Sequence, residues 1–313
     1  QALPVGERID FVNIVTPNHV HFEPSLAFVE AGFNVVLDKP MVHTSAQAQA
    51  LIEAVERKNV VFAVTHNYTG YPMVKEARAW IASGKLGKIQ RVVVEYPQGW
   101  LLEKEEDGDN KQAEWRTDPK RSGIAGAVGD IGSHAENLVS YMTGLELEAI
   151  SADVSTFVPG RLLDDDASVL MRFTNGAKGV LWCSQIAAGE ENGINIRVYG
   201  TKAGLEWHQE HPNWLYFKDP KGPMQVYKRG NDYVGEAATR ATHLPFGHPE
   251  AFFEAFGNIF MNVTDTIRAR LEGRAPTELE LDFPSVYDGA RGVKFIEKVI
   301  ESGLTEQKWL PFD

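Results

Sequence analysis

The chain has one cysteine, Cys183, in 313 residues. No disulfide can close within it and no cysteine-built metal cluster is possible. That fits a reducing compartment, and the expected location is the cytoplasm. No apolar run approaches the ~20 residues that span a bilayer, so no membrane partner is expected. A basic cluster is missing too, because 31 Lys and Arg face 43 Asp and Glu, for a net charge of -12. Nucleic-acid binding needs a basic footprint, so the balance favours small-molecule chemistry. An anionic cofactor could still bind through a few local cations and backbone N–H groups. Also lacking are an initiator Met, a basic leader with an apolar core, and any G-x-G-x-x-G turn. The opening "QALPVGERID" reads as a loop entering a strand.

What is present is enough apolar material, 43% of residues, for real cores. The length suggests about two domains. Residues 9–17 form a β-rich run ended by proline, and 22–32 read as a helix stopped by glycine. "NVVL" is a second strand, 45–59 a helix opened by a Ser cap, and 60–66 a third strand. This β-α-β-α-β rhythm implies a parallel sheet with helices packed on its faces. After a helix over 73–87 the pattern changes. From about 88 to 235 it is mostly short strands, including a hairpin around Thr174-Asn175-Gly176-Ala177. One helix, roughly Ser133–Met142, interrupts this region. Two helices, 249–273 and 285–303, close the chain. The charged stretch 103–111 reads as a solvated loop.

Three places carry candidate chemistry. Ligands of open parallel sheets sit at the carboxyl ends of the strands, which places Thr16, Asn18, His19 and His21 there. The bland alternative is that Asn18 or His21 caps the next helix. At the same edge "NVVL" runs into Asp38-Lys39-Pro40. A lysine there, beside a cofactor and short of water, can have its ammonium pKa lowered by burial. Pro40 removes a backbone donor and holds the turn. The bland alternative is a surface lysine. The third place, "GDIGSH", spaces Asp130 and His134 at i, i+4, one face if helical, and His beside a carboxylate is a common acid–base pair. Gly123, Gly126, Gly129 and Gly132 allow close approach of something bulky. A capped helix with a core histidine is the alternative. Just upstream, Trp115-Arg116 could stack on a ring and pair with a phosphate.

"TPNHVH", "AGFNVVLDKP", "VVFAVTHNY" and "SGIAGAVGDIGSHAENLVSYMTG", in this order, resemble the Gfo/Idh/MocA oxidoreductases, a family that includes glucose–fructose oxidoreductase and inositol dehydrogenase. "GHPEAFFEAFGNIF" is similar to the sugar and inositol dehydrogenase-like members. The resemblance spans nearly the whole chain. It implies an α/β chain: a partial Rossmann nucleotide-binding domain over residues 1–70, then an α+β domain over 71–313 with a large open, mostly antiparallel sheet. The last helix is expected to pack back on the first domain. It also implies NAD or NADP as cofactor, a sugar or polyol substrate, and a homodimer or homotetramer formed through the open sheet face.

Residue by residue, the resemblance makes Lys39 the lysine of a Glu-Lys-Pro signature and matches Asp130 and His134 to an Asp-x-Gly-x-His element. These three are the expected catalytic residues. His134 would take the hydroxyl proton, Lys39 would stabilise the reacting oxygen, and Asp130 would orient the sugar or His134. Thr16, Pro17, Asn18 and His21 match the cofactor-side loop. Asp38, Pro40, Asn67, Trp115 and Arg116 complete the expected cofactor contacts, with Tyr68 near the substrate. No metal site is expected. Asp38 stands where the family usually has Glu. Asn137 stands where many members have Asp, which suggests a different substrate. The family's glycine-rich phosphate turn and its flanking βα units do not occur, so roughly 60 or more residues are expected to be missing from the N-terminal side. Two other readings stand beside this one: a catalytically silent binding or regulatory relative, and a metal-dependent hydrolase using His19, His21 and His134.

Overall fold

A computed structural model of the chain describes residues 3–4 and 7–313. Of the opening stretch read as a loop, residues 1, 2, 5 and 6 lie outside the described residues. The order begins β1 (Phe11–Ile14), α1 (Phe22–Glu30), β2 (Asn34–Leu37), α2 (Ser45–Lys58), β3 (Phe62–Val64). These three strands make one parallel sheet in the order β1-β2-β3. After Asn34, "NVVL" is apolar because both of its faces are covered. Val35 and Leu37 pack with Leu51 of α2, while Val36 turns to the opposite side.

Then come α3 (Pro72–Ala82), β4 (Ile89–Pro97), α4 (Lys111–Arg116), α5 (Pro119–Ser122) and α6 (Ser133–Thr143). The rest of the second sheet follows as β5 (Leu147–Ser155), β6 (Asp166–Phe173), β7 (Lys178–Ser184), β8 (Asn195–Gly200), β9 (Gly204–His208), β10 (Trp214–Lys218) and β11 (Gln225–Lys228). The chain closes with α7 (Glu236–Arg240), α8 (Phe252–Leu271), α9 (Val286–Gly303) and β12 (Leu310–Pro311). The nine strands run β11-β10-β9-β8-β4-β7-β6-β5-β12, and only the β4–β7 pair is parallel. One face of this sheet is covered. Val92, Val94, Leu181 and Ile196 share a core with Val74 of α3 and Leu138 of α6. On the alternating positions Leu170 is 46% exposed and Glu95 pairs with Arg197 in partial contact with solvent.

The last two long helices return to the first sheet. Val286 and Val293 of α9 join the core of β2 and α2, and Ile259, Val263 and Ile267 of α8 cover its other face. Several local readings need correction. The cap of α2 is Thr44, whose hydroxyl accepts from the Gln47 N–H at 3.2 Å, not Ser45. Helix α3 stops at Ala82, because Gly84 and Gly87 take positive φ of 73° and 74° and turn the chain. Segment 111–122 holds α4 and α5, capped by the side chains of Asn110 and Asp118. Caps alone start these two short helices, with no apolar period to reveal them.

The start of α8 sits hard against the turn before α3. A Cβ on Gly70 would lie 2.0 Å from the Ala255 carbonyl oxygen, and the Asn258 amide donates to the Gly70 carbonyl at 2.9 Å. Gly70→Ala should therefore lower unfolding free energy by about 3 kcal/mol in urea titration. Gly257→Ala, with nothing within 4 Å inside the same helix, should instead gain about 1 kcal/mol.

Candidate active site

Parallel pairing carries the chain off the same edge of the small sheet after each strand. After β2 the chain continues into Asp38-Lys39-Pro40. The Asp38 carboxylate accepts from the Lys39 N–H at 2.8 Å and the Thr65 hydroxyl at 2.9 Å, which ties this turn to the one after β3. The Lys39–Pro40 peptide is cis. The His21 side chain neither caps α1 nor stands free. It is fully buried, with Nδ1 2.9 Å from the Pro40 carbonyl and Nε2 2.7 Å from the Thr16 carbonyl. Asn18 does not cap either: its amide donates to the Ser122 carbonyl at 3.2 Å, linking this loop to α5.

From the other side comes the glycine-rich segment. The buried Asp164 carboxylate accepts from the Gly126 and Val128 N–H groups at 2.6 and 2.7 Å. Burial pushes its pKa up to about 6 against the pull of these two donors. The bulky group that the glycines accommodate is the chain itself. A Cβ on Gly126 would lie 2.2 Å from the Asp164 carbonyl, and one on Gly132 3.1 Å from Cys183 Sγ. A π-helical turn over Val128–Gly132 then feeds α6, bringing Asp130 and His134 to a cleft of about 540 Å³.

Lys39 Nζ reaches across to Asp130, 2.8 Å from Oδ1 and 2.6 Å from its carbonyl oxygen. Asp130 Oδ2 also accepts from Gln185 at 2.8 Å and faces Arg116 Nε at 3.3 Å. Burial alone would raise the Asp130 pKa, but the charges of Lys39 and Arg116 outweigh it and bring it to about 2. No hydrogen bond joins Asp130 to His134, since Asp130 is taken by these partners. His134 instead packs edge-on against Tyr68 at 4.9 Å and His66 at 5.4 Å between centroids. Its Nδ1 is buried without a hydrogen-bond partner among the described residues. Burial, then the charge of Lys39 and the neighbouring His66, push the His134 pKa well below the usual imidazole range. His66 is held at about 3, chiefly by burial and next by Lys39. Both rings are therefore neutral at pH 7.

Of the expected site residues, Asp38, Lys39, Asn67 and Tyr68 line the cleft from the first sheet's side, and Arg116, Asp130 and His134 from the second's. Thr16, Pro17, Asn18, His21, Pro40 and Trp115 do not line it. Trp115 is half-buried and carries the Arg116 guanidinium 4.3 Å above its ring. Asn137 is not in the cleft at all. It lines a separate and larger cavity of about 840 Å³ beside Lys75, Tyr141 and Asp282, so its difference from Asp does not face the substrate side of His134. The histidine set His19, His21 and His134 is not brought together. Each His21 nitrogen faces a backbone carbonyl and His19 is exposed, and among the described residues no group of three His, Cys, Asp or Glu could hold a metal.

The sequence reading missed one wall entirely. Tyr96, Gln98 and Asn192 line the cleft as a hydrogen-bonded set. Asn192 Oδ1 accepts from the Tyr96 hydroxyl at 2.7 Å and from Gln98 at 2.8 Å, and its amide donates to Tyr68 at 3.1 Å. Phe252 and Phe256 line the outer end. Their spacing within "GHPEAFFEAFGNIF" was a usable signal, an i, i+4 aromatic pair in a helix's first turns.

The "Oxidoreductase family, NAD-binding Rossmann fold" description of the GFO/IDH/MocA family matches residues 1–66, and the "GFO/IDH/MocA C-terminal domain" matches 74–206. The uncharacterized oxidoreductase YfiI of Bacillus subtilis (strain 168) is 32% identical over 308 residues, covering 98% of this chain and 78% of that protein. Levoglucosan dehydrogenase of Pseudarthrobacter phenanthrenivorans is 28% identical, covering 96% and 80%. The crystal structure of an inositol dehydrogenase homolog complexed with NAD+ from Azotobacter vinelandii superposes with a TM-score of 0.91 at 34% identity, covering 97% and 78%.

The Asp130 carboxyl is held at about 2 against an ordinary 3.8, so its contribution to stability is present above about pH 4 and is lost as pH falls toward 2. Asp130→Asn should cost about 2 kcal/mol at pH 7 and flatten that acid limb. Urea titrations at pH 7, 4 and 2.5 measure both effects.

Proposed function

The chain belongs to the Gfo/Idh/MocA oxidoreductase family, and from that premise we propose that it oxidises one hydroxyl of a cyclic sugar or polyol, reversibly, with NAD or NADP. The observation that carries this reading is a neutral His134 at a cleft it shares with an ion-paired Lys39. The names of the relatives support it, one a levoglucosan dehydrogenase and another an inositol dehydrogenase homolog with NAD+.

When bound, NAD or NADP supplies the hydride acceptor. We assign Asp38, Lys39, Asn67 and Arg116, which line the cleft, to holding it, with Thr16, Pro17, Asn18 and Trp115 on the adjoining rim and the buried Pro40 and His21 setting the turn that carries Lys39. The fit rests on Asn67. Its amide nitrogen is buried beside the cleft with no partner among the described residues, a costly arrangement that an acceptor on the cofactor would relieve. No glycine-rich phosphate turn occurs in this sequence, so these residues account for the reacting end of the cofactor only.

An ammonium has three protons to donate. Lys39 spends two on Asp130, at the carboxylate and the carbonyl, which leaves one for the reacting oxygen of the substrate, where it stabilises developing negative charge. His134 takes the hydroxyl proton at Nε2, since Nδ1 is sealed in the protein. Burial and Lys39 make the protonated ring unstable, so the proton is given up readily and the same atom serves as acid in reverse. Tyr68 and Asp130 position the remaining hydroxyls. The open face of the large sheet, with Leu170 and Tyr199 exposed, is assigned to contact between subunits of a dimer or tetramer.

His134→Ala should lower kcat about 100-fold or more while leaving NADH binding, followed by fluorescence titration, intact. Unchanged turnover removes His134 from the mechanism. For the unaltered chain, kcat/KM for oxidation should stay level as pH drops through 6.5, the ordinary histidine value, and fall only well below it, because the base is neutral until then. A midpoint near 6.5 in the pH–rate profile contradicts the assignment.

A further inference from the structure

The mechanism leaves the aromatic end of the cleft unused. Phe252 and Phe256, one turn apart at the start of α8, line it with ring centroids 5.1 Å apart. Phe253 stands beside Phe252 at 6.5 Å, 83° between planes. Phe252 is 42% exposed and Phe253 is 87% exposed. Exposed phenyl rings in a contiguous set mark a place that something apolar covers.

These rings are set on a rigid mount. Arg229 and Glu250, both nearly fully buried, pair at 2.8 Å immediately before α8. Arg229 also donates to the Leu244 carbonyl at 2.7 Å and to Asn213 Oδ1 at 2.7 Å, and Glu250 accepts from the His243 N–H at 2.8 Å. One helical turn on, the Asn258 amide donates to the Gly70 and Ala241 carbonyls, both at 2.9 Å. The helix start that carries the phenyl groups is therefore fixed before a ligand arrives.

The charges of the cleft narrow what that ligand is. Its two lining cations, Lys39 and Arg116, both face the Asp130 carboxylate, at 2.8 and 3.3 Å. A phosphate or carboxylate on the substrate would have to compete with Asp130 for either. A sugar ring, by contrast, offers hydroxyls at its rim and C–H groups on its face, and Asn192, Tyr68 and Gln98 line the same cleft as polar groups for that rim.

We propose that Phe252, Phe253 and Phe256 form a ledge for the apolar aglycone or second ring of an uncharged glycoside, whose first ring reacts at Lys39 and His134. The inference rests on the reading of the cleft as the substrate site. Continuity favours this occupant over a second copy of the chain, because the same Phe252 that touches Phe253 also lines the cleft.

Phenyl β-D-glucopyranoside and D-glucose test it in two readouts: calorimetric binding to the full chain, and kcat/KM with NAD or NADP. The phenyl glucoside should bind about tenfold more tightly and show the same preference in kcat/KM. Phe253→Ala should abolish that preference through KM rather than kcat, and Phe253→Trp should restore it. The ledge is overturned if the unaltered chain binds glucose as well as the glucoside, or if Phe253→Ala keeps the preference. It is equally overturned if Phe253→Ala changes only the sedimentation of the chain, the mark of a subunit contact. If the binding preference holds but neither sugar, nor a polyol, is oxidised with either cofactor, the dehydrogenase reading fails and the ledge stands.

Discussion

The ion pair between Lys39 and Asp130 is the constraint on which the site depends. It joins, in charge, the turn after β2 of the small parallel sheet to the π-helical turn that leads into α6. A pair this sheltered survives only when its remaining donors and acceptors are largely satisfied, and here all but one Lys39 proton are, by the Asp130 carbonyl, Gln185 and the nearby Arg116. The pair also sorts the roles of its neighbours. Asp130, engaged on both oxygens, is not free to serve His134. Lys39, a fixed positive charge close by, helps to keep His134 neutral.

Much of the surrounding chain exists to hold that pair in register. His21 bridges the Pro40 and Thr16 carbonyls beneath Lys39, and Asp38 fastens the Lys39 N–H to Thr65. On the other side Asp164 grips the segment ahead of the π-helical turn, and Gly132 lets that turn settle against Cys183. None of His21, Asp164 or Gly132 lines the cleft, yet each sets where a cleft residue stands.

Lys39 was legible in the sequence because a charged pair and a proline interrupt an apolar strand, a local contradiction that physics rarely tolerates without a use. The first sheet was legible for the same kind of reason, its apolar runs alternating with helical spacing. What stayed hidden was assembled across distance. Tyr96 meets Asn192 over 96 positions, and Asp164 reaches Gly126 over 38, and no periodicity encodes such pairs. The histidine loop shows how far residue type alone can be read. Its residue types suit ligand contact, but the His21 ring is buried with each nitrogen facing a backbone carbonyl. The family resemblance carried Asp130 and His134 together, whereas the bonds that tie Asp130 to Lys39 and Gln185 rather than to His134 became visible only in three dimensions.

Helix α9, formed by residues 286–303, carries Val286 and Val293 into the core of β2 and α2, which lies within the first 58 residues. On a ribosome this has a consequence for timing. At roughly 5–20 residues per second, the first strands emerge well before the helix that seals them. The early sheet must wait, one apolar flank open, through the synthesis of the entire second sheet. The flank that Val286 and Val293 cover is thus sealed only once helix α9 has been made.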